Sequence, residues 1–143
     1  MGSLTILTSW VGPAQALEIV HRLSSLFTVS PPEVVFDTNM AAKYNAFCWP
    51  ESNEIHFRNE WSLRWDTPFH EFAHILFYDY YRSTDQEKSE SFARAFERMS
   101  LTNGEDLLNF ICEGCGNSAV VLQPDGLLRC QVCNSLYAIY VPW

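Results

Sequence analysis

Apolar residues in the first part of the chain recur first at helical and then at strand spacing. Over residues 13–26 they fall at three- and four-residue intervals, which predicts an amphipathic helix. Residues 4–10 predict a short strand before this helix, and the Pro31-Pro32 pair prevents the helix from continuing. The β-branched run 33–37 predicts a second strand.

Two β-prone runs follow, at residues 44–49 and 54–58, and the sequence PESN between them predicts a hairpin with a longer loop. In the second run Ile55 and Phe57 alternate with polar residues. We therefore expect one face of this strand to be buried and the other to be polar.

Two further helices are predicted after the hairpin. The first spans about residues 67–82, with Thr67 as N-cap and Pro68 at the first helical position. The second begins at a capping box formed by Thr84 and Glu87 and stops at the Asn103-Gly104 pair. The main apolar stripe of the second helix consists of Phe92, Ala95, Phe96 and Met99.

The composition is that of a globular protein of 143 residues, with 17 acidic against 9 basic side chains and a net charge of −8. This acidic charge argues against nucleic acid or an anionic membrane as a partner. No secretory signal and no apolar run of membrane-spanning length is present, so we expect a cytoplasmic protein.

The pattern changes after residue 108, where four of the five cysteines occur as two C-x-x-C pairs. We place a boundary near residues 104–109 and predict a core of residues 1–106 followed by a module of residues 107–143. The intervening sequence predicts a hairpin around residues 124–126, and residues 135–141 predict a third strand.

Cysteine pairs at this spacing indicate a structural metal site. Four thiolates from two tight turns suit a tetrahedral zinc ion, whereas two redox pairs on either side of a hairpin are improbable. We therefore predict a β zinc ribbon that acts as a structural cap or binds a protein partner. The four predicted ligands are Cys112, Cys115, Cys130 and Cys133.

The most specific motif is H-E-x-x-H at His70, Glu71 and His74. On a helix, residues four apart are about 40° apart around the axis and about 6 Å apart along it, so the two imidazoles can reach one ion. Glu71 lies beside them and can act as general base on water bound to that ion. The alternative is that both histidines are core residues of an aromatic-rich helix.

A catalytic zinc site needs a third protein ligand, and no histidine follows His74. Glu87 is committed to the predicted capping box, and Glu97 lies nearly two turns beyond Glu90. Glu90 is followed three residues later by Ala93, a small residue that lets two helices approach closely. We expect Glu90 to be the third ligand, with Glu87 as the alternative; an exposed surface carboxylate is the other interpretation of Glu90.

The sequence HEFAH at residues 70–74, with ESFA at 90–93, resembles the gluzincin-type zinc metallopeptidases, especially minimal gluzincins and ImmA/IrrE-like proteins. The hairpin ahead of the motif and the four cysteines after it resemble the SprT-like proteins, which commonly carry a C-terminal zinc ribbon. The resemblance covers residues 44–100 and 110–141. It implies an α+β fold in which a small zincin-like core precedes the ribbon.

What the resemblance implies is hydrolysis of peptide bonds in a peptide or protein substrate. One catalytic zinc polarises the carbonyl, and Glu71 moves the proton from zinc-bound water to the leaving amine. Strand 54–58 is expected to be the edge strand on which substrate lies extended. The side chains that could assist the oxyanion are Tyr78, Tyr80, Tyr81, His56 and His21.

Two functional classes remain open from the sequence: an active zinc metalloendopeptidase, whose activity could be latent, and a catalytically silent scaffold that binds a partner through its groove and ribbon. Glu71 favours the enzyme, because a silent site has no chemical need of it. The fifth cysteine, Cys48, is expected to pack in the core; the alternative is a thiolate that reaches the catalytic zinc in a latent state.

Overall fold

The computed structural model describes residues 10–37, 46–58, 63–64, 66–108, 111–122 and 127–138. Within these ranges the chain forms three α-helices, α1 (Pro13–Phe27), α2 (Thr67–Tyr81) and α3 (Gln86–Leu108). The described strands are β1 (Trp10–Val11), β2 (Glu33–Asp37), β3 (Ala46–Trp49), β4 (Glu54–Arg58), β5 (Leu63–Arg64), β6 (Val120–Leu122), β7 (Leu127–Cys130) and β8 (Leu136–Ala138). The fold belongs to the α+β class, as the sequence predicts.

Helix α1 confirms the predicted amphipathic helix and ends one residue later, at Phe27. Thr28 takes the left-handed conformation with a φ of 56°, and its N–H donates to the last carbonyls of the helix. The strand predicted over residues 4–10 falls mainly outside the described residues. Its last residue begins β1, which pairs antiparallel with β5.

Strand β4 lies at the centre of a mixed three-stranded sheet in the order β2–β4–β3. Antiparallel pairing of β3 with β4 around a 3-10 turn at Pro50–Ser52 confirms the predicted hairpin; residues 44–45 lie outside the described part. Ile55 and Phe57 are fully buried, whereas the polar side chains of Glu54 and His56 are half-buried. The predicted alternation is therefore confirmed.

Helix α2 begins differently from the prediction. Thr67 is already helical, and Asp66 precedes the helix as its cap residue. The Asp66 carboxylate binds Arg64, at 3.2 and 3.3 Å, instead of a helix N–H, and its backbone carbonyl accepts the His70 N–H at 3.1 Å. Thr67 is therefore not the N-cap. The helix ends at Tyr81, close to the predicted end at residue 82.

Helix α3 departs from the prediction at both ends. The Asp85 carboxylate accepts the Lys88 N–H at 3.1 Å, so Asp85 caps the helix and the predicted Thr84–Glu87 capping box is wrong. The helix also continues through the Asn103-Gly104 pair to Leu108, so the predicted stop there is wrong. A single glycine costs a helix only about 1 kcal/mol, and the two leucines at 107 and 108 favour continuation.

The core is a cluster of buried apolar side chains from the three helices and from strands β4, β6 and β7. Phe27 of α1 contacts both other helices within this cluster, with its ring centroid 6.2 Å from that of Phe72 on α2 and 5.8 Å from that of Phe96 on α3. The other fully buried large side chains include Phe57, Phe69, Ile19, Leu23, Ile55 and Leu76. Ala93 is also completely buried, where α3 packs against the rest of the core.

The four-cysteine segment forms an antiparallel sheet in the order β6–β7–β8. Val120 and Leu128 are fully buried in the same cluster as the helices, and Gln131 Nε2 donates to Thr28 Oγ1 at 3.0 Å. The predicted turn at 124–126 lies outside the described residues, as does the end of the predicted third strand. The domain division at residue 106 stays a prediction; α3 extends two residues past it.

Among the residues that the structure describes, no helix combines the length and the apolar character that crossing a membrane requires.

Candidate metal centres

His70 and His74 lie one turn apart on α2. Their ring centroids are 5.1 Å apart and their planes are inclined by 76°, so the two imidazoles converge without stacking. Both side chains are partly exposed, at 20% and 16%. The Nε2 atom of each ring is directed towards the same carboxylate, that of Glu90 on α3.

Glu90 completes a group of three metal-ligand side chains. Its Oε1 lies 3.4 Å from His70 Nε2, and its Oε2 lies 3.3 Å from His74 Nε2. A tetrahedral zinc ion with bonds of about 2.0–2.1 Å separates its nitrogen and oxygen ligands by about 3.3 Å. These distances therefore fit ligands that share one ion, and the ligand atoms of the group all lie within 4.8 Å of one another.

Glu87, the alternative third ligand, is not part of this group. Its side chain is exposed and borders a different cavity, together with Phe77 and Tyr81. The structure thus brings together the three residues favoured by the sequence and leaves the alternative outside.

Glu71 is buried beside the two histidines, with 8% of its surface exposed. Its Oε2 has no hydrogen-bond partner among the described residues. Burial, and secondarily the neighbouring Glu90 and Glu97 carboxylates, raises the pKa of Glu71 to about 7. Burying a carboxylate oxygen without a partner is costly, so this position is typical of a group that is retained for chemistry.

His74 has a partner on each side of its ring. Its Nδ1 lies 2.7 Å from Ser89 Oγ, and its Nε2 faces Glu90. Burial, and then the neighbouring His70 ring, lowers the pKa of His74, which favours the neutral imidazole that binds metals. Ser89 was not among the residues predicted from the sequence, because its role depends on how α2 and α3 pack.

Glu97 also approaches the site, although the sequence interpretation set it aside as too distant. Its Oε1 lies 3.7 Å from His70 Nδ1, which is beyond hydrogen-bond distance. Glu97 follows Glu90 by seven residues, so the two lie on nearly the same face of α3, and this spacing could have identified it. On the other side Arg94 Nε lies 3.4 Å from Glu90 Oε1.

A cavity of about 440 Å³ opens beside these residues, between β3, α2 and α3. The side chains that border it include Phe47, Cys48, Glu71, His74, Tyr78 and Glu90. The Glu71 carboxylate and two of the candidate ligands, His74 and Glu90, therefore border a space that can hold part of a ligand.

Cys48 lies on β3 and packs against the core as predicted, but it is half-buried and not fully buried within the core. Its side chain also borders the cavity. Burial, and then the Glu71 carboxylate, raises the pKa of the Cys48 thiol, which favours the neutral thiol over the alternative thiolate.

The prediction that β4 is the edge strand is wrong. Strand β4 is paired on both sides, parallel with β2 and antiparallel with β3, so its backbone groups are already used. The pairing of β2 with β4 is between segments distant in sequence, and local patterns do not reveal it. Within the described residues β3 pairs with β4 alone, so β3 is the edge strand beside the cavity.

Among the five side chains considered for the oxyanion, Tyr78 borders the cavity of the candidate site. Its ring also lies 5.7 Å from the Arg82 guanidinium carbon. His56 binds Glu54 on the polar face of the sheet, and His21 is exposed on α1. The structure therefore leaves Tyr78 as the candidate with the best placement.

The second centre is formed by Cys112, Cys115, Cys130 and Cys133, whose sulfur atoms all lie within 4.8 Å of one another. The sulfur separations are 3.5 Å for the first and last residues and 3.6 Å for the middle pair. Zinc–sulfur bonds of about 2.3 Å in a tetrahedron give separations of about 3.8 Å, so the four sulfurs fit one ion. All four are free thiols.

The two cysteine turns have matching backbone geometry. The residue after the second cysteine of each pair is left-handed, with φ values of 78° at Gly116 and 63° at Asn134. Each donates its N–H to the carbonyl of the first cysteine, at 2.8 Å to Cys112 and 3.1 Å to Cys130. These tight turns place both sulfurs of each pair on one side, as the spacing predicts.

Each of the four sulfurs has a hydrogen-bonding neighbour. The partners are Tyr137 Oη for Cys112 at 2.8 Å, Asn117 Nδ2 for Cys115 at 3.5 Å, Val132 N for Cys130 at 3.4 Å and Ser135 Oγ for Cys133 at 3.1 Å. The contact with the Tyr137 hydroxyl is the main cause that lowers the pKa of Cys112 to about 6. Such partners stabilise thiolates, the form of cysteine that binds metals.

No known protein family, no curated protein and no solved structure matches the chain.

Proposed function

We propose that this protein is a zinc-dependent metallopeptidase that hydrolyses peptide bonds. The observation that carries the proposal is the placement of Glu71, whose buried Oε2 has no hydrogen-bond partner among the described residues and whose side chain borders the same cavity as His74 and Glu90. A site that only holds a metal needs the three ligands but not the fourth side chain. The adjacent cavity gives a substrate access to this group.

Zinc held by His70, His74 and Glu90 would polarise the scissile carbonyl and lower the pKa of a water molecule. Glu71 Oε2 accepts a proton from the water whose oxygen attacks the carbonyl carbon. The same oxygen delivers that proton to the leaving amine as the carbon–nitrogen bond breaks. The carboxylate therefore returns to its starting charge at the end of each cycle.

The substrate would lie along β3. This strand forms one wall of the cavity and leaves one edge unpaired within the described sheet. An extended peptide can add to such an edge through backbone hydrogen bonds, which select for an extended chain more than for particular side chains. Phe47 of β3 and Tyr78 of α2 border the same space and provide apolar contact for substrate side chains.

The four cysteines would hold a second zinc ion with a structural role, which makes the β6–β7–β8 sheet a zinc ribbon. A sheet of this size has little core of its own, so a metal contributes directly to its folding. Exposed apolar side chains on this segment, at Ile111, Val132 and Leu136, favour a protein partner over nucleic acid. We expect the protein to act in the cytoplasm.

The test compares wild type with Glu71→Gln, a change that keeps the size of the side chain and removes its basicity. We expect two zinc ions per chain in both proteins and loss of casein cleavage by at least about 100-fold in the variant. Glu87→Gln, at the exposed acid outside the site, is the matched control and keeps activity. Equal cleavage by wild type and Glu71→Gln in metal-clean buffer contradicts the mechanism.

The same measurements separate the enzyme from the silent scaffold. A silent scaffold cleaves neither casein nor itself under any loading condition. One zinc per chain, held by cysteine, fits the silent scaffold and contradicts the enzyme, which needs a second zinc at the histidines.

A further inference from the structure

Within the described residues, His74 Nδ1 has one hydrogen-bond partner, the Ser89 hydroxyl, at 2.7 Å. On the opposite edge of the same ring, Nε2 faces the Glu90 carboxylate at 3.3 Å. Ser89 immediately precedes Glu90 on α3, so one turn of helix contacts both nitrogens of the imidazole. Ser89 is half-buried and borders the cavity.

A hydroxyl can serve either tautomer of this histidine. A metal on Nε2 requires the ring proton to be on Nδ1, where it donates to Ser89 Oγ. When Nε2 instead carries the proton and donates to Glu90, Nδ1 accepts from the Ser89 O–H. A carboxylate or a backbone carbonyl can only accept, so it would hold one tautomer alone.

We infer that Ser89 is a positioning residue for the catalytic metal, one that holds the His74 ring in place while its proton moves from one nitrogen to the other. The inference rests on the proposed function, since it assigns the His70–His74–Glu90 group to a metal. The consequence is that the His74 imidazole keeps its orientation when a metal ion binds to Nε2. His70 differs, because its Nδ1 is buried without a hydrogen-bond partner among the described residues.

The test uses the full chain and three variants. Ser89→Ala removes the hydroxyl with little change in volume, whereas Ser89→Thr keeps a hydroxyl at the same position. Ser91→Ala is a matched control at an exposed serine on the same helix. Zinc affinity is measured by competition with a chelator, and the zinc of the four-cysteine centre serves as an internal reference. Ring tautomers are read from ¹⁵N NMR of labelled histidine before and after zinc addition.

We expect zinc affinity at the histidine site to fall about 10-fold in Ser89→Ala, within the range found for partners of ligating histidines. Ser89→Thr and Ser91→Ala should match wild type, and all four proteins should keep the cysteine-bound metal. In wild type the His74 proton should move from Nε2 to Nδ1 on zinc addition, with slow solvent exchange at Nδ1. In Ser89→Ala that exchange should be fast.

Two results overturn the inference in distinguishable ways. If wild type binds zinc at the histidines and Ser89→Ala has the same affinity and the same proton exchange, Ser89 does not position the ring, and the proposed function stands. If wild type binds no zinc at the histidines, the proposed function fails and the inference fails with it.

Discussion

Glu90 Oε2 lies 3.3 Å from His74 Nε2, although the two residues belong to different helices and are sixteen positions apart in the sequence. The carboxylate is held there by α3, whose buried Ala93 lies in the packed core three residues further on. The distance between these two side chains is therefore fixed by helix packing. The H-E-x-x-H motif alone supplies the two histidines but not this third ligand, which depends on the packing of α3 against α2.

The first prediction concerns this carboxylate. Glu90→Ala should lower zinc affinity at the histidine site by at least about tenfold, because loss of a ligand should cost no less than loss of a ligand's partner. Metal stoichiometry after dialysis against a weak chelator measures the effect. One zinc per chain should remain, bound by cysteine.

The control for this prediction is Glu87→Ala, at the exposed acid that borders the other cavity. It should keep both metals. Because Asp85 and not Thr84 caps α3, this substitution should also leave the helix end intact, with a change in unfolding free energy within about 0.5 kcal/mol. Loss of metal in Glu87→Ala together with retention in Glu90→Ala would reverse the assignment.

The histidine pair and Glu71 are predictable from the sequence because their geometry is local. Two ligands and a carboxylate on one helical turn are fixed by the helix itself. Glu90 required one tertiary assumption, close packing of α2 and α3, and the small residue at position 93 was the signal for it. Ser89 carries no such signal, since serine near a helix start has many roles.

The edge strand could not be predicted, because the error arose from a pairing between distant segments. Alternation of Ile55 and Phe57 with polar residues correctly indicated a sheet face but did not tell how many neighbours β4 has. The parallel partner β2 ends seventeen residues before β4 begins, with β3 in between. The helix ends were predicted wrongly for a different reason. The capping free energies of neighbouring candidates such as Thr84 and Asp85 differ by less than the free energy that helix packing contributes, so packing decides where the helix begins.

A second prediction concerns stability. Phe27 is 2% exposed and joins α1 to both α2 and α3 through Phe72 and Phe96. Phe27→Ala should lower the unfolding free energy by about 3–5 kcal/mol, as expected for a large cavity in a core. Denaturant unfolding measures the change. Val132→Ala, at an exposed apolar side chain, should change it by no more than about 0.5 kcal/mol.

A third prediction concerns the four-cysteine centre. Cys130→Ser should remove one metal ion and increase amide exchange throughout residues 111–122 and 127–138, because three sulfurs hold the ion far less tightly and the sheet depends on it. The histidine site should keep its zinc. Global stability should also fall, since Leu128 and Val120 belong to the common core.

Cys48→Ser is the matched control for that variant, because Cys48 is the cysteine outside the cluster. It should keep both metals and the exchange pattern of wild type. Detection of disulfides among Cys112, Cys115, Cys130 and Cys133 in protein purified under reducing conditions would contradict the metal-site assignment.

The last prediction isolates one hydroxyl. Tyr137 Oη lies 2.8 Å from Cys112 Sγ and accepts the Glu113 N–H at 3.1 Å, so it connects β8 with the first cysteine turn. Donation to a charged sulfur contributes about 1.5–3 kcal/mol, which corresponds to at least about tenfold in affinity. Tyr137→Phe should therefore speed zinc transfer from the cysteines to a competing chelator by about tenfold.

The ring of Tyr137 packs against the core, and phenylalanine preserves that packing, so the unfolding midpoint of the metal-loaded protein should change little. Tyr81→Phe, which removes a hydroxyl from an exposed tyrosine on α2, controls for the substitution itself and should leave zinc transfer unchanged. If Tyr137→Phe releases zinc at the wild-type rate, the hydroxyl does not stabilise the thiolate. If release accelerates equally in both variants, the effect does not arise at Cys112.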